Sequence, residues 1–218
     1  MMKKLRYIIG IDEVGRGALA GPVTVAAVAI TVNPKPKIRN PKPRLKLRDS
    51  KKLTPRQRET WFGYIKTHPG IFYTTAGVSP KIIDKINISN AANLAATRAL
   101  TKLVKYLTIV KYLTKSKVEV FLDGGLYLNK NKIRVNPRSY PRLSAFTIIK
   151  GDEKIPAIMM ASIVAKVTRD RIMVKLHKKY PKYAFDRHKG YGTKKHIKAI
   201  RKHGPTKVHR LAFLKKIH

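Results

Sequence analysis

Cysteine is absent from this 218-residue chain. Disulfide cross-links and thiolate metal sites are thereby excluded. Acids are scarce: 11 Asp and Glu stand against 49 Lys and Arg, a formal net charge of +38. No run approaches the roughly 18 consecutive apolar residues of a membrane-spanning helix. The apolar run near the N-terminus is too short for a secretory signal and ends on Asp12 and Glu13, so a cytoplasmic location is expected. No internal repeat is visible.

What is present is enough hydrophobic content, 43%, for a real core. The positive excess repels itself in a compact state unless a polyanion screens it. Nucleic acid is the expected partner, with an acidic membrane surface as the competing one.

Tyr7–Ile11 and Pro22–Val32 read as strands, joined by the loop Gly15–Gly21. Residues 33–48 carry Pro34, Pro36, Pro41 and Pro43 among many Lys and Arg, which predicts a basic, extended excursion. Thr54 caps a helix that opens on Pro55 and runs to about Thr67. Ile71–Val78 reads as a strand, and apolar spacing predicts one helix from Pro80 to about Leu107. Val118–Leu122 and Leu143–Ile149 are further strands. Pro156 opens a long helix to about Lys179, and a short one spans Thr193–Lys202. Strands and helices alternate, so the class is α/β or α+β around one central sheet.

With so few acids, their positions can be weighed singly. Asp12, Asp123 and Asp152 each fall at or just past the end of an apolar strand. Neighbouring strands would bring these carboxylates to one edge. Clustered carboxylates repel unless a cation sits among them, and oxygen ligands suit Mg²⁺ or Mn²⁺. In a strongly basic chain that combination points to hydrolysis or transfer of nucleic-acid strands. A non-catalytic basic binder is the alternative, but such a protein has no use for acids where it meets phosphates. The string Asp12-Glu13-Val14-Gly15-Arg16-Gly17 adds backbone that a ligand can approach closely and a fork for an oxygen anion.

Taken in order, the motifs resemble those of the ribonuclease HII family. They are Ile11–Gly17 with Leu19–Val23, Asp49–Leu53, Ile83–Ile88, Leu122–Gly124, Lys150–Asp152, Ala161–Asp170 and His188–Thr193. The resemblance implies a ribonuclease H-like α/β fold, a mixed sheet of about five strands flanked by helices. It implies a catalytic domain over residues 1–181 and a small helical C-terminal part over 182–218. It makes Asp12, Glu13, Asp123 and Asp152 the catalytic carboxylates, holding two Mg²⁺ or Mn²⁺ ions. Gly15, Arg16 and Gly17 would contact a ribose 2′-hydroxyl, and Tyr191 would pack on the following deoxyribose. Ser50, Lys51 and Lys52 are candidate phosphate contacts. The substrate implied is a DNA duplex containing ribonucleotides, or an RNA–DNA hybrid, cut on the 5′ side of the ribonucleotide.

The stretch 127–142 adds five Lys and Arg between the later acid motifs, as a surface insertion. The related ribonuclease HIII family is disfavoured, because it carries an extra N-terminal domain and Asp12 lies close to this N-terminus. A monomer without an obligate protein partner or membrane contact is expected, and the C-terminal Arg210–Leu214 shows no clear sliding-clamp motif. Asp170 reads as an ion-pair or helix-surface residue rather than a fourth ligand. Lys166 and Arg169 read as a solvated helix face, Glu153 as solvated, His188 as a packing residue, and Asp49 as the cap that orders residues 50–52.

Overall fold

The structure is a computed structural model that describes residues 6–33, 45–109, 117–128 and 143–215. Most of the basic excursion and of the 127–142 insertion therefore lies outside the described residues. Five strands form one sheet: β1 (Arg6–Val14), β2 (Val23–Asn33), β3 (Ile71–Val78), β4 (Lys117–Asp123) and β5 (Leu143–Ile148). Their order is β3-β2-β1-β4-β5. The β1–β2 and β2–β3 pairs are antiparallel, whereas β1–β4 and β4–β5 are parallel. The sheet is mixed, as the resemblance implied.

Helices cover both faces. On one side lie α2 (Pro80–Ile86) and α3 (Ile88–Ile109). On the other lie α1 (Pro55–Thr67) and the long α5 (Pro156–Lys179), which follows the single turn α4 (Gly151–Lys154). Strand β2 is buried on both faces, which is why it reads as an unbroken apolar run. Its Val25, Ala27 and Ala29 join the α3 core, while Ala26 and Val28 join the α1/α5 core. Strand β1 alternates likewise. Tyr7, Ile9 and Ile11 face α3, and Gly10 faces α5 so closely that a Cβ there would sit 2.1 Å from the Ala157 carbonyl carbon.

The helix expected over residues 80–107 is two helices. Asn87 breaks it with φ +63°, and its side chain accepts the Asn90 amide at 3.0 Å to cap α3. Apolar spacing continues across the break, so periodicity alone hides it. By contrast Thr54 and Gln57 form the capping box of α1, with Pro55 in its first turn as expected.

Beyond Lys179 the chain forms α6 (Phe185–His188), α7 (Lys194–His203) and α8 (Leu211–Leu214). These pack as a third cluster, with Tyr183, Phe185 and Ile200 against Leu19, Ala20 and Met173. This segment thus grips the loop that leaves β1. Among the described residues no helix is long and apolar enough to cross a membrane.

Candidate active site

The parallel ladder decides where the acids meet. Strand β1 pairs with β4 as far as Ile11 and Leu122, so Asp12 and Asp123 are the next residues on neighbouring strands. Strand β5 ends level with Asp123, at Ile148, and Asp152 follows in α4. Crevices beyond the carboxyl ends of parallel strands are the usual ligand sites of such sheets. One expectation needs correcting. Asp12 and Glu13 lie inside β1, not past its end, because antiparallel pairing with β2 carries the strand on to Val14.

That placement has a geometric consequence. Successive strand residues point to opposite faces. Asp12 turns toward α5, on whose side the Ser162 hydroxyl favours its charged form, and it accepts the Glu13 amide at 2.7 Å. Glu13 turns toward α3, where Arg16 reaches it at 3.3 Å and also donates to the Ser89 hydroxyl at 3.2 Å. The two carboxylates lie on opposite faces of the central strand.

The others are held by backbone and by lysine. The Gly151 amide donates to Asp123 Oδ1 at 2.8 Å, tying β4 to the start of α4. Lys51 Nζ stands 3.3 Å from Asp152 Oδ2. Burial works against the Lys51 ammonium, but Asp49, Asp152 and Asp12 outweigh it and raise its pKa. Asp49 caps the 3-10 turn Ser50–Lys52 by accepting the Lys51 amide, as expected. Ser50, read from the sequence as a phosphate contact, is buried, and its hydroxyl lies 2.7 Å from that of Ser162. The Ser50–Ser162 hydroxyl pair thus lies behind the Asp12 side of the site. In the sequence Ser162 is marked only by its place in the Ala161–Asp170 motif of the long helix.

The electrostatics are those of a crowded anionic site. Burial pushes the Asp12 carboxyl well above its ordinary pKa, and Glu13 and Asp123 push it further. Burial also raises Glu13, with Arg16 opposing and Asp123 adding to the shift. Glu13 Oε2 is buried without a hydrogen-bond partner. As the side chains stand, no group of three acids or imidazoles among the described residues is arranged to hold a metal ion. Arg16 and Lys51 serve as counter-charges to Glu13 and Asp152. The donor set still suits a hard cation: all oxygen, mutually repelling, with one orphaned buried acceptor.

Beside this cluster lies the loop Gly15–Gly21. Its two motif glycines differ. Gly15 has φ +90°, and a Cβ there would fall 2.2 Å from Arg169 Nε. Gly17 is exposed, and nothing lies within 4 Å of where its Cβ would be. An isolated bridge pairs Ala18 with Tyr191, so the structure brings the two sequence-distant motifs side by side.

Several remaining expectations hold. Asp170 pairs with Lys166 at 2.8 Å, although its sequence neighbours Arg169 and Arg171 are the nearer cations along the chain. His188 packs in its loop, with Nε2 2.6 Å from the Tyr183 carbonyl oxygen. Glu153 is exposed but paired with Lys52 at 2.7 Å, which leaves Lys52 bound to protein here. Arg169 is the clear failure. Expected on a solvated face, it is fully buried.

The model of the family described as Ribonuclease HII matches residues 9–217. The chain is 44% identical over 215 residues to the ribonuclease HII of Caldicellulosiruptor bescii, spanning 97% of this chain and 88% of that one. It is similar in fold to the ribonuclease H2 of Pyrococcus horikoshii, with TM-score 0.66, 23% identity and coverage of 97% and 96%. It is also similar in fold to a Bst ribonuclease HIII solved in complex with Mn²⁺, with TM-score 0.62, 18% identity and coverage of 97% and 69%. At those identities the solved structures speak for the fold.

Proposed function

The chain belongs to the ribonuclease HII family, a family of endonucleases, and from that premise we propose that it hydrolyses the phosphodiester on the 5′ side of ribonucleotides embedded in duplex DNA. RNA in RNA–DNA hybrids is the second substrate in this reading. The products carry 3′-hydroxyl and 5′-phosphate ends, and the role is removal of ribonucleotides from DNA. The observation that carries the proposal is the meeting of Asp12 and Asp123 one residue beyond the parallel β1–β4 ladder, beside a loop whose Gly17 is open to a ligand.

Asp12, Glu13, Asp123 and Asp152 would hold one or two divalent cations, Mg²⁺ or Mn²⁺. When bound, such ions supply an activated water and charge neutralisation at the leaving 3′ oxygen. The protein's own part is positional. The Glu13 and Gly151 amides hold Asp12 and Asp123. Arg16 and Lys51 exchange their carboxylate contacts for oxygens of the substrate as it enters. Gly17 admits the ribose 2′-hydroxyl to the backbone, the one group that separates RNA from DNA at a given sugar. Tyr191, whose backbone is bridged to Ala18, would pack on the next sugar.

A purely basic binder is the poorer reading, since buried carboxylates at the mouth would repel phosphates. The test is a DNA duplex with a single ribonucleotide, incubated with Mg²⁺ or Mn²⁺. We expect metal-dependent cutting that Asp123→Asn abolishes while duplex binding stays. Wild-type turnover in that variant contradicts the carboxylate assignment.

A further inference from the structure

We propose that Arg169 and Arg210 are positioning residues for substrate reading, two buried guanidiniums that lock the Gly15–Gly21 loop at a fixed spacing from Tyr191. Both are fully buried, and among the described residues neither forms a salt bridge. Burying a cation without an anion is costly, and well-packed apolar side chains serve stability as well or better. What guanidinium alone offers is a rigid fork of several donors.

Both guanidiniums donate to main-chain carbonyls, Arg169 through all three of its nitrogens and Arg210 through Nε and Nη1, with its Nη2 buried without a hydrogen-bond partner. Arg169 donates to Pro22 O at 3.0 Å, to Ala20 O at 3.1 Å and to Lys189 O at 2.9 Å. Arg210 donates from its side chain to Gly21 O at 3.0 Å and Arg16 O at 2.8 Å, and from its amide to Leu19 O at 2.8 Å. The loop carbonyls of Arg16, Leu19, Ala20, Gly21 and Pro22 therefore all end on these two residues. Lys189 links the same brace to the Tyr191 segment, and the Arg169 guanidinium carbon lies 5.4 Å from the Tyr191 ring centre. Gly190 O accepts the Leu19 and Ala20 amides, completing the connection. Glycine at 15 is what lets Arg169 pass beneath the loop. Arg210 is anchored in turn, because Asp84 of α2 caps the Leu211 and Ala212 amides that follow it.

A site that reads one hydroxyl must hold its parts to within a fraction of an ångström. The inference rests on the reading above, in which Gly17 and Tyr191 meet the sugars. The test uses the full chain carrying Arg210→Lys, which keeps the charge and loses the fork. Two quantities are measured: amide hydrogen exchange, and the ratio of cutting rates at a single ribonucleotide and within an all-RNA strand paired to DNA. Enzyme concentration and active fraction cancel from that ratio, so mere destabilisation does not move it. We expect exchange at Leu19, Ala20 and Gly21 to rise at least about tenfold with β1 and β2 unchanged, and the ratio to shift severalfold. Unchanged loop exchange, a uniform rise across the protein, or an unmoved ratio overturns the proposal. Should Arg210→Lys not fold, Asp84→Ala frees only the amides beside Arg210 and is expected to give the same pattern at smaller size, and its absence there overturns the proposal. If the wild type cuts neither substrate, the functional reading fails, and the exchange pattern alone decides whether the brace exists.

Discussion

Gly15 and Gly17 stand two residues apart in one motif, yet substituting them should have opposite consequences. At Gly15 an alanine Cβ meets Arg169 Nε at 2.2 Å on a backbone with φ +90°. The left-handed conformation costs a non-glycine residue about 1–2 kcal/mol. Displacing Arg169 weakens hydrogen bonds to Pro22, Ala20 and Lys189, and bonds from a charged donor contribute about 1.5–3 kcal/mol each. Losing one of them brings the total to about 3–5 kcal/mol, a large part of a typical domain's stability. At about 2–4 °C per kcal/mol for a chain of this size, Gly15→Ala should lower the melting temperature by roughly 6–20 °C. At Gly17 a Cβ meets nothing within 4 Å. Gly17→Ala should leave stability within about 0.5 kcal/mol of wild type, yet strongly reduce cutting at a single ribonucleotide. Thermal melts and initial rates on both variants decide the matter. A Gly17→Ala enzyme that cuts at the wild-type rate, or melts as low as Gly15→Ala, refutes the division of roles.

The Asp12 carboxyl is raised by burial first and by Glu13 and Asp123 next, so the stability it contributes is present below its unfolded pKa and lost as pH rises through its folded one. Asp12→Asn should therefore raise the melting temperature of the chelator-treated protein at neutral pH by several degrees while abolishing turnover, and a lower melting temperature would contradict this. Burial lowers His196 to about 4 from an ordinary 6.5. Its contribution is complete above about pH 6.5 and is lost as pH falls through about 4, on the order of 2–3 kcal/mol. Melts from pH 7 to 4 should show that loss, and His196→Asn should flatten it. Duplex binding should weaken steeply between 50 and 200 mM salt, as expected where several phosphates are neutralised. A flat response would remove the electrostatic part of the account.

How much of this was legible in the sequence depended on whether the signal was local. Thr54-Pro55 and Pro156 announced their helices because caps and first-turn prolines act within a few residues. Strands β2 and β3 announced themselves through β-branched runs bounded by breakers. Asp123 was legible as a strand-end acid and Asp12 as an acid after an apolar run, although β1 continues past Asp12 and only the β1–β4 register shows that the two are neighbours. What failed was set by tertiary contact. Arg169 reads as surface because charged residues on helices usually are, and only carbonyls from residues 20, 22 and 189 make its burial tolerable. Ser50 reads as a loop hydroxyl until Ser162 is seen behind it. The histidines of the C-terminal segment show no metal spacing along the chain, yet His188 stacks on His196, and the His196 Nε2 lies 3.2 Å from that of a tilted His209. The break at Asn87 was written in the sequence as a capping residue, but the apolar period runs straight through it.

The most direct test of the central claim is to map the cut. A DNA duplex with one ribonucleotide at a known position, labelled at both ends, is incubated with the wild-type protein and Mn²⁺, and the product ends are identified. The account predicts one incision, on the 5′ side of the ribonucleotide, leaving a 3′-hydroxyl and a 5′-phosphate. Cutting on its 3′ side, cutting of the all-DNA duplex at the same rate, or tight binding with no incision would contradict it.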